Sequence, residues 1–125
     1  MSAQLAELNV TEPVLFDEKL ALNRVELNLM IPRGLIYFRG HFPNFPILPG
    51  IVQIEWAVEY ARHYFELASA SVGSLQVKFR QPISPGDHLW LTIEHHVTRQ
   101  QIVFTYEGRD GVVSSGRVGL EPGRV

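Results

Sequence analysis

From residue 50 to residue 67 the chain carries a helical pattern that is apolar around most of its circumference, and few folds can house such a helix. Spaced at 100° per residue, Glu55, Glu59, Arg62 and Glu66 crowd into one narrow arc. Ile51, Ile54, Trp56, Val58, Tyr60, Ala61, Tyr64 and Phe65 fill the rest. A helix with so thin a polar face must be covered on most sides. The flanking sequence supplies the cover. Val25, Leu27, Leu29 and Ile31 alternate with Arg24, Glu26, Asn28 and Met30, the period-two signature of a half-buried strand. After the helix, Leu75, Val77 and Phe79, then Leu89, Leu91, Ile93 and Val97, then Ile102, Phe104 and Tyr106 repeat the alternation, and residues 112–120 follow. Ser84-Pro85-Gly86-Asp87 and Gly108-Arg109-Asp110-Gly111 mark turns. One strand, one long helix and four further strands predict an α+β fold, an antiparallel sheet curled around a mostly buried helix. Residues 1–19 show no clear period and are expected to be peripheral, with residues 1–125 forming a single domain.

Such a core is within reach of a chain of 125 residues, 46% of them hydrophobic and 19% charged, which can bury about two-thirds of its unfolded surface. There is no cysteine, which excludes disulfides, thiol nucleophiles and thiolate metal sites and fits a reducing cytoplasm. No apolar run approaches the ~20 residues of a membrane span. No lysine or arginine precedes Lys19, so a secretory leader is not expected. A net charge of -2 leaves no footprint for nucleic acid. His95 and His96 are adjacent in a strand and point to opposite faces, and His63 and His88 have no partner at ligand spacing. Neither a metal nor another cofactor is expected. Ser114-Ser115-Gly116 lacks the leading glycine and the strand–turn–helix setting of a nucleophile elbow.

The chemistry is concentrated just before the helix. His41-Phe42-Pro43-Asn44-Phe45-Pro46-Ile47-Leu48-Pro49-Gly50 sets an imidazole at the head of a stiff arm that ends at the helix entrance. Pro43, Pro46 and Pro49 recur every third residue, the repeat of a polyproline II turn. Histidine is the natural general base near neutral pH. Gly50 stands where free backbone N–H groups and positive partial charge can hold a developing oxyanion. Glu55, on the polar arc, is the candidate acid. Each also has a plain reading: His41 bonding local backbone, Gly50 as a simple N-cap, Glu55 as a solvated glutamate like Glu59 and Glu66. Eight residues of straight arm at about 3.1 Å each span about 25 Å. That reach separates His41 from Glu55 within one chain and lets them meet across the two-fold axis of a dimer, unless the arm folds back.

Gly40-His41-Phe42-Pro43 and Pro46-Ile47-Leu48-Pro49-Gly50, with Glu55 fourteen residues after His41, resemble the signature of the 3-hydroxyacyl-[acyl-carrier-protein] dehydratases of bacterial fatty-acid synthesis. Val77-Lys78-Phe79-Arg80-Gln81-Pro82-Ile83 with Pro85-Gly86-Asp87 is similar to that family's second block, so the likeness covers roughly residues 24–120. Gln53-Ile54-Glu55-Trp56-Ala57 and Ser114-Ser115-Gly116-Arg117 look closer to the dehydratases of aryl polyene clusters, the ApeI-like branch. Glu59 stands where the fatty-acid enzymes usually carry glutamine.

The resemblance implies a hotdog fold and a set of roles. His41 would take the α-proton of a 3-hydroxyacyl thioester, and Glu55 would protonate the departing hydroxyl to leave the trans-2-enoyl product. The Gly50 N–H would hold the thioester carbonyl, and Phe42, Phe45 and Trp56 would line an apolar tunnel for the acyl chain. It further implies an acyl carrier protein as the donor, with Arg33, Arg39, Lys78, Arg80 and Arg99 as available cations. The expected assembly is a homodimer or a higher oligomer of dimers, with room for a second hotdog chain. Two other classes stand beside this reading: an acyl thioesterase using a carboxylate to activate water, and a non-catalytic acyl-binding hotdog partner.

Overall fold

The computed structural model describes residues 10–42 and 44–121. Pro43 and residues 1–9 of the segment expected to be peripheral lie outside the described residues. Six strands and one helix follow in chain order: β1 (Val14–Ala21), β2 (Arg24–Met30), α1 (Gly50–Tyr64), β3 (Ser71–Phe79), β4 (His88–His96), β5 (Gln101–Gly108) and β6 (Gly111–Glu121). All the strands join one antiparallel sheet in the order β1-β2-β4-β5-β6-β3. A single turn of 3-10 helix, Ile36–Phe38, precedes the arm.

The alternating pattern does what the sequence implies in the middle of the sheet. Val25, Leu27, Leu29, Leu89, Leu91, Ile93, Ile102, Phe104 and Tyr106 are all buried, and they meet Val52, Trp56, Ala57 and Ala61 of α1 in one core. Each fully buried Leu, Ile or Phe contributes roughly 1.5–3 kcal/mol of transfer free energy, which is what holds the helix on the sheet. The Ser84–Asp87 turn clamps the end of β2. Gly86, at φ +86°, donates its N–H to the Ile31 carbonyl at 2.7 Å, and the Ile31 N–H donates to the Asp87 carbonyl at 2.9 Å. The Ser84 N–H in turn donates to the Asp87 carboxylate at 2.8 Å.

The structure departs from the sequence reading in four places. Residues 14–21 form a further strand, held by its ladder to β2; every side chain on it is exposed, so no burial alternation marked it. The helix ends at Tyr64, before Leu67. Glu66 takes φ +55° while the Phe65 N–H donates to Ala61 and the Leu67 N–H to Arg62, a closed C-terminal cap. Among the described residues β3 pairs only with β6 and lies at the sheet edge, leaving Val72, Leu75 and Phe79 exposed. The helix keeps a bare strip as well, because Ile51 is 63% exposed beside Glu55 and Glu59.

One close approach fixes the packing of β5 on β6. A Cβ at Gly116 would lie 2.5 Å from the Phe104 ring and 3.1 Å from the Gln76 carbonyl oxygen. Gly116→Val should therefore lower the urea midpoint at fixed protein concentration, with a loss of ~1–3 kcal/mol from overpacking. An unchanged midpoint would show that the Phe104 ring moves aside freely.

Candidate active site

The arm does not run straight. Gly40, at φ +74°, turns the chain out of the 3-10 helix, and the His41 N–H donates to the Phe38 carbonyl at 3.4 Å. Six residues on, the Ile47 N–H donates to the His41 carbonyl at 3.1 Å. The His41 ring answers this bond, with Nδ1 3.1 Å from the Ile47 carbonyl oxygen. A carbonyl can only accept, so Nδ1 carries the proton and the neutral ring keeps its lone pair on Nε2. The arm is thus a closed loop between residues 41 and 47, and the ~25 Å reach of a straight polyproline segment does not describe it. Leu48 then docks this loop on the sheet, its N–H donating to the Ile83 carbonyl at 2.8 Å.

Glu55 lies one turn and a half into α1 on the bare strip. It opens onto a pocket of about 500 Å³ whose walls include Glu12, Tyr37, Trp56, Glu59 and Tyr60. Two bonds tie residues 10–13 across this wall. The Ile36 N–H donates to the Val10 carbonyl at 2.9 Å, and the Trp56 indole N–H donates to the Thr11 carbonyl at 3.1 Å. Arg62 pairs with Glu59 at 2.7 Å and so offsets one of the pocket's carboxylates. Burial, helped by the charge of Glu12, pushes the Tyr60 hydroxyl up to about 12, so it remains a proton donor at any working pH.

One chain brings Glu55 and Trp56 to the same pocket and leaves the other candidates outside its lining. Phe42 and Phe45 project from the arm, Phe45 at 77% exposed, whereas Trp56 is buried. Gly50 begins α1 after Pro49, and a Cβ there would lie 2.5 Å from the Phe79 ring. This glycine therefore has that ring, the end of a half-exposed side chain, as its nearest group. Its backbone N–H has no backbone acceptor among the described residues. Sequence reasoning missed Glu12, which reaches the pocket from the N-terminal segment, Tyr60, which follows Glu55 on the same helix, and Gln53. That glutamine is 3% exposed, and its position off the charged arc of the helix was the available signal.

A family model described as ApeI-like, the ApeI dehydratase, matches residues 17–117. The chain belongs to the ApeI-like dehydratase family. Among solved structures, the dehydratase heterocomplex ApeI:P from Xenorhabdus doucetiae is 32% identical, with a TM-score of 0.82 over 87% of this chain and 97% of that one. An uncharacterized protein from Erwinia carotovora subsp. atroseptica is 34% identical, with a TM-score of 0.78 over 89% of this chain and 97% of that one. The 3-hydroxyacyl-[acyl-carrier-protein] dehydratase FabZ of Erythrobacter litoralis is 34% identical over 91 residues, which are 63% of this chain and 60% of that protein. Matches of this kind span between 44% and 62% of the length of the curated relatives. The expected architecture holds: this ApeI-like chain has the hotdog fold, an antiparallel six-stranded sheet around one helix. Among the described residues no helix is long and apolar enough to cross a membrane.

The tyrosines of this ApeI-like chain give its pocket and core a measurable signature. Burial is the first cause of a raised value at Tyr60, Tyr64 and Tyr106; a bond to Glu18 adds to it at Tyr64. The folded protein thus holds these protons more tightly than the unfolded chain, whose tyrosines ionise near 10. The share contributed by Tyr60 is complete below pH 10 and falls as the pH rises from there to about 12, and the shares of Tyr64 and Tyr106 are lost at still higher pH. Phenolate absorbance should appear later in native than in urea-unfolded protein, and Tyr60→Phe should remove one late group. Coincident titration curves would contradict the burial of these hydroxyls.

Proposed function

We propose that the chain dehydrates a 3-hydroxyacyl thioester, carried by an acyl carrier protein, to the trans-2-enoyl thioester. The observation that carries this reading is the bond from His41 Nδ1 to the Ile47 carbonyl, because it leaves Nε2 as a free base. In the proposed reaction Nε2 removes the proton from C2. The electron pair moves toward the thioester carbonyl, whose oxygen gains charge, and the free N–H at Gly50 stabilises it. Glu55, in its acid form, gives a proton to the C3 hydroxyl as the C3–O bond breaks. The products are the enoyl thioester and water, and the proton on His41 returns to solvent while Glu55 is reprotonated. No redox change occurs and no cofactor is needed.

The proposal includes a second chain. Glu55 faces solvent on the bare strip of α1, His41 is outside its pocket, and the exposed β3 edge carries Val72, Leu75 and Phe79. An apolar edge of this kind pairs readily with another strand. A homodimer in which His41 of one copy meets Glu55 of the other accounts for these features, and oligomers of such dimers fit the same logic. The ApeI:P structure is a heterocomplex, which favours a second hotdog chain as the alternative partner. Phe42, Phe45 and Trp56 are assigned to the acyl passage formed on assembly, with an aryl-polyenoyl chain as the ApeI-like substrate. A carrier-bound substrate sets the reaction in the cytoplasm.

Hydration of an enoyl thioester, the reverse reaction, is the convenient assay. His41→Asn and Glu55→Gln should each lower turnover at least ~10²-fold while leaving the fold intact, the usual size of a lost acid–base group. Formation of free acid and carrier thiol in place of the enoyl thioester would instead assign a thioesterase. Folded variants that turn over at the wild-type rate would leave an acyl-binding partner as the reading.

A further inference from the structure

Within one chain, a buried polar junction ties the arm that carries His41 to the helix that carries Glu55. Gln53, about two turns before Tyr60 on α1, is surrounded by core side chains and has all its polar atoms engaged. Its Nε2 points at the Leu48 carbonyl at 3.4 Å, and its Oε1 accepts from the Ser114 hydroxyl at 2.7 Å. The Leu48 carbonyl can only accept, so the amide orientation is fixed and Ser114 must be the donor. The Tyr106 hydroxyl donates to the Gln53 backbone carbonyl at 2.7 Å. Ser114 and Tyr106 are fully buried on β6 and β5. Two strands of the sheet therefore hold one residue of the helix, and that residue reaches the arm.

The place where it reaches the arm matters. Leu48 directly follows Ile47, whose carbonyl sets the His41 tautomer, and Leu48 is held at its other peptide group by Ile83. Two residues beyond Gln53 is Glu55, and three before it is Gly50. We infer that Gln53 is a positioning residue, locking the loop that orients the His41 imidazole to the helix turn that presents Gly50 and Glu55. A buried amide here is otherwise unfavourable in a helix face that apolar residues could fill, since each of its polar atoms must find a partner. Its catalytic consequence rests on the dehydratase reading; its effect on the imidazole does not.

The test uses Gln53→Met, which keeps the length of the side chain and removes its polar atoms, with Ser114→Ala and Ser114→Thr as a graded pair in case the first variant fails to fold. Imidazole ¹⁵N spectra under alkaline conditions, with His41 assigned by difference from His41→Asn, report which ring nitrogen holds the proton. Wild type should show the Nδ1–H form. Folded Gln53→Met should shift toward a mixture and lose about 10-fold in kcat with KM within about twofold, the pattern of misplaced groups with substrate binding preserved. Ser114→Ala should move both readouts the same way to a smaller degree, and Ser114→Thr, which retains the hydroxyl, should restore them. Variants that fold and keep both the Nδ1–H form and the wild-type kcat would overturn the inference. If wild type proves inactive toward 3-hydroxyacyl and enoyl thioesters, the dehydratase reading fails while the ¹⁵N comparison still decides whether Gln53 controls His41.

Discussion

The two bonds between His41 and Ile47 are the constraint on which the candidate site rests. A proline-spaced segment has little freedom of its own, and a straight one would carry the imidazole far from the helix. Closing it into a loop changes what the segment does. The backbone bond from Ile47 to His41 sets the shape, and the ring bond from His41 to Ile47 sets the chemistry, since it decides which nitrogen is basic. The remainder of the structure serves to hold that loop against the helix entrance. Leu48 is bonded to Ile83, Pro49 caps α1, and Gln53 reaches back from inside the core.

The helix divides its circumference between two tasks. Val52, Trp56, Ala57 and Ala61 are spent on the sheet, which fixes the rotation of α1 and therefore the direction of everything opposite. Opposite them, Ile51, Glu55 and Glu59 face outward in a single chain. An exposed isoleucine next to two carboxylates is an unusual end state for a strip beside a pocket. It makes sense as a surface awaiting a second chain, and the uncovered apolar side chains of β3 at the sheet edge have the same character. The walls of the pocket at Glu55 carry other acids as well. Arg62 offsets Glu59, and the neutral Tyr60 hydroxyl sits between helix and N-terminal wall as a donor.

Much of the fold was legible because burial in a half-covered sheet writes a period of two. Val25 to Ile31, Leu89 to Ile93 and Ile102 to Tyr106 carry that period and are the buried heart of the sheet. The β1 strand was not legible for the opposite reason: it buries no side chain, and only its backbone ladder defines it. At the site, the histidine, the helix entrance and the acid were readable as residue types at a fixed spacing. The fold-back of the arm was not. Proline spacing conveys stiffness but not where a chain turns, and the turn depends on the positive φ at Gly40 and on bonds made by the peptide groups of His41 and Ile47. Gln53 escaped notice because a lone glutamine in a helix reads as surface until its partners, Ser114 and Tyr106, arrive from distant strands. Glu12 was hidden in the same way, whereas Tyr60, on the same helix as Glu55, read as part of its apolar face.

The central claim is that His41 of one copy works with Glu55 of another on a single thioester. Subunit mixing measures it most directly. His41→Asn and Glu55→Gln proteins, each inactive alone, are combined in equal amounts and allowed to exchange, with exchange verified by native mass spectrometry. A shared site predicts recovery to about a quarter of wild-type turnover, because half the dimers become mixed and each mixed dimer regains one of its two sites. Verified mixed dimers with no recovered activity would contradict it.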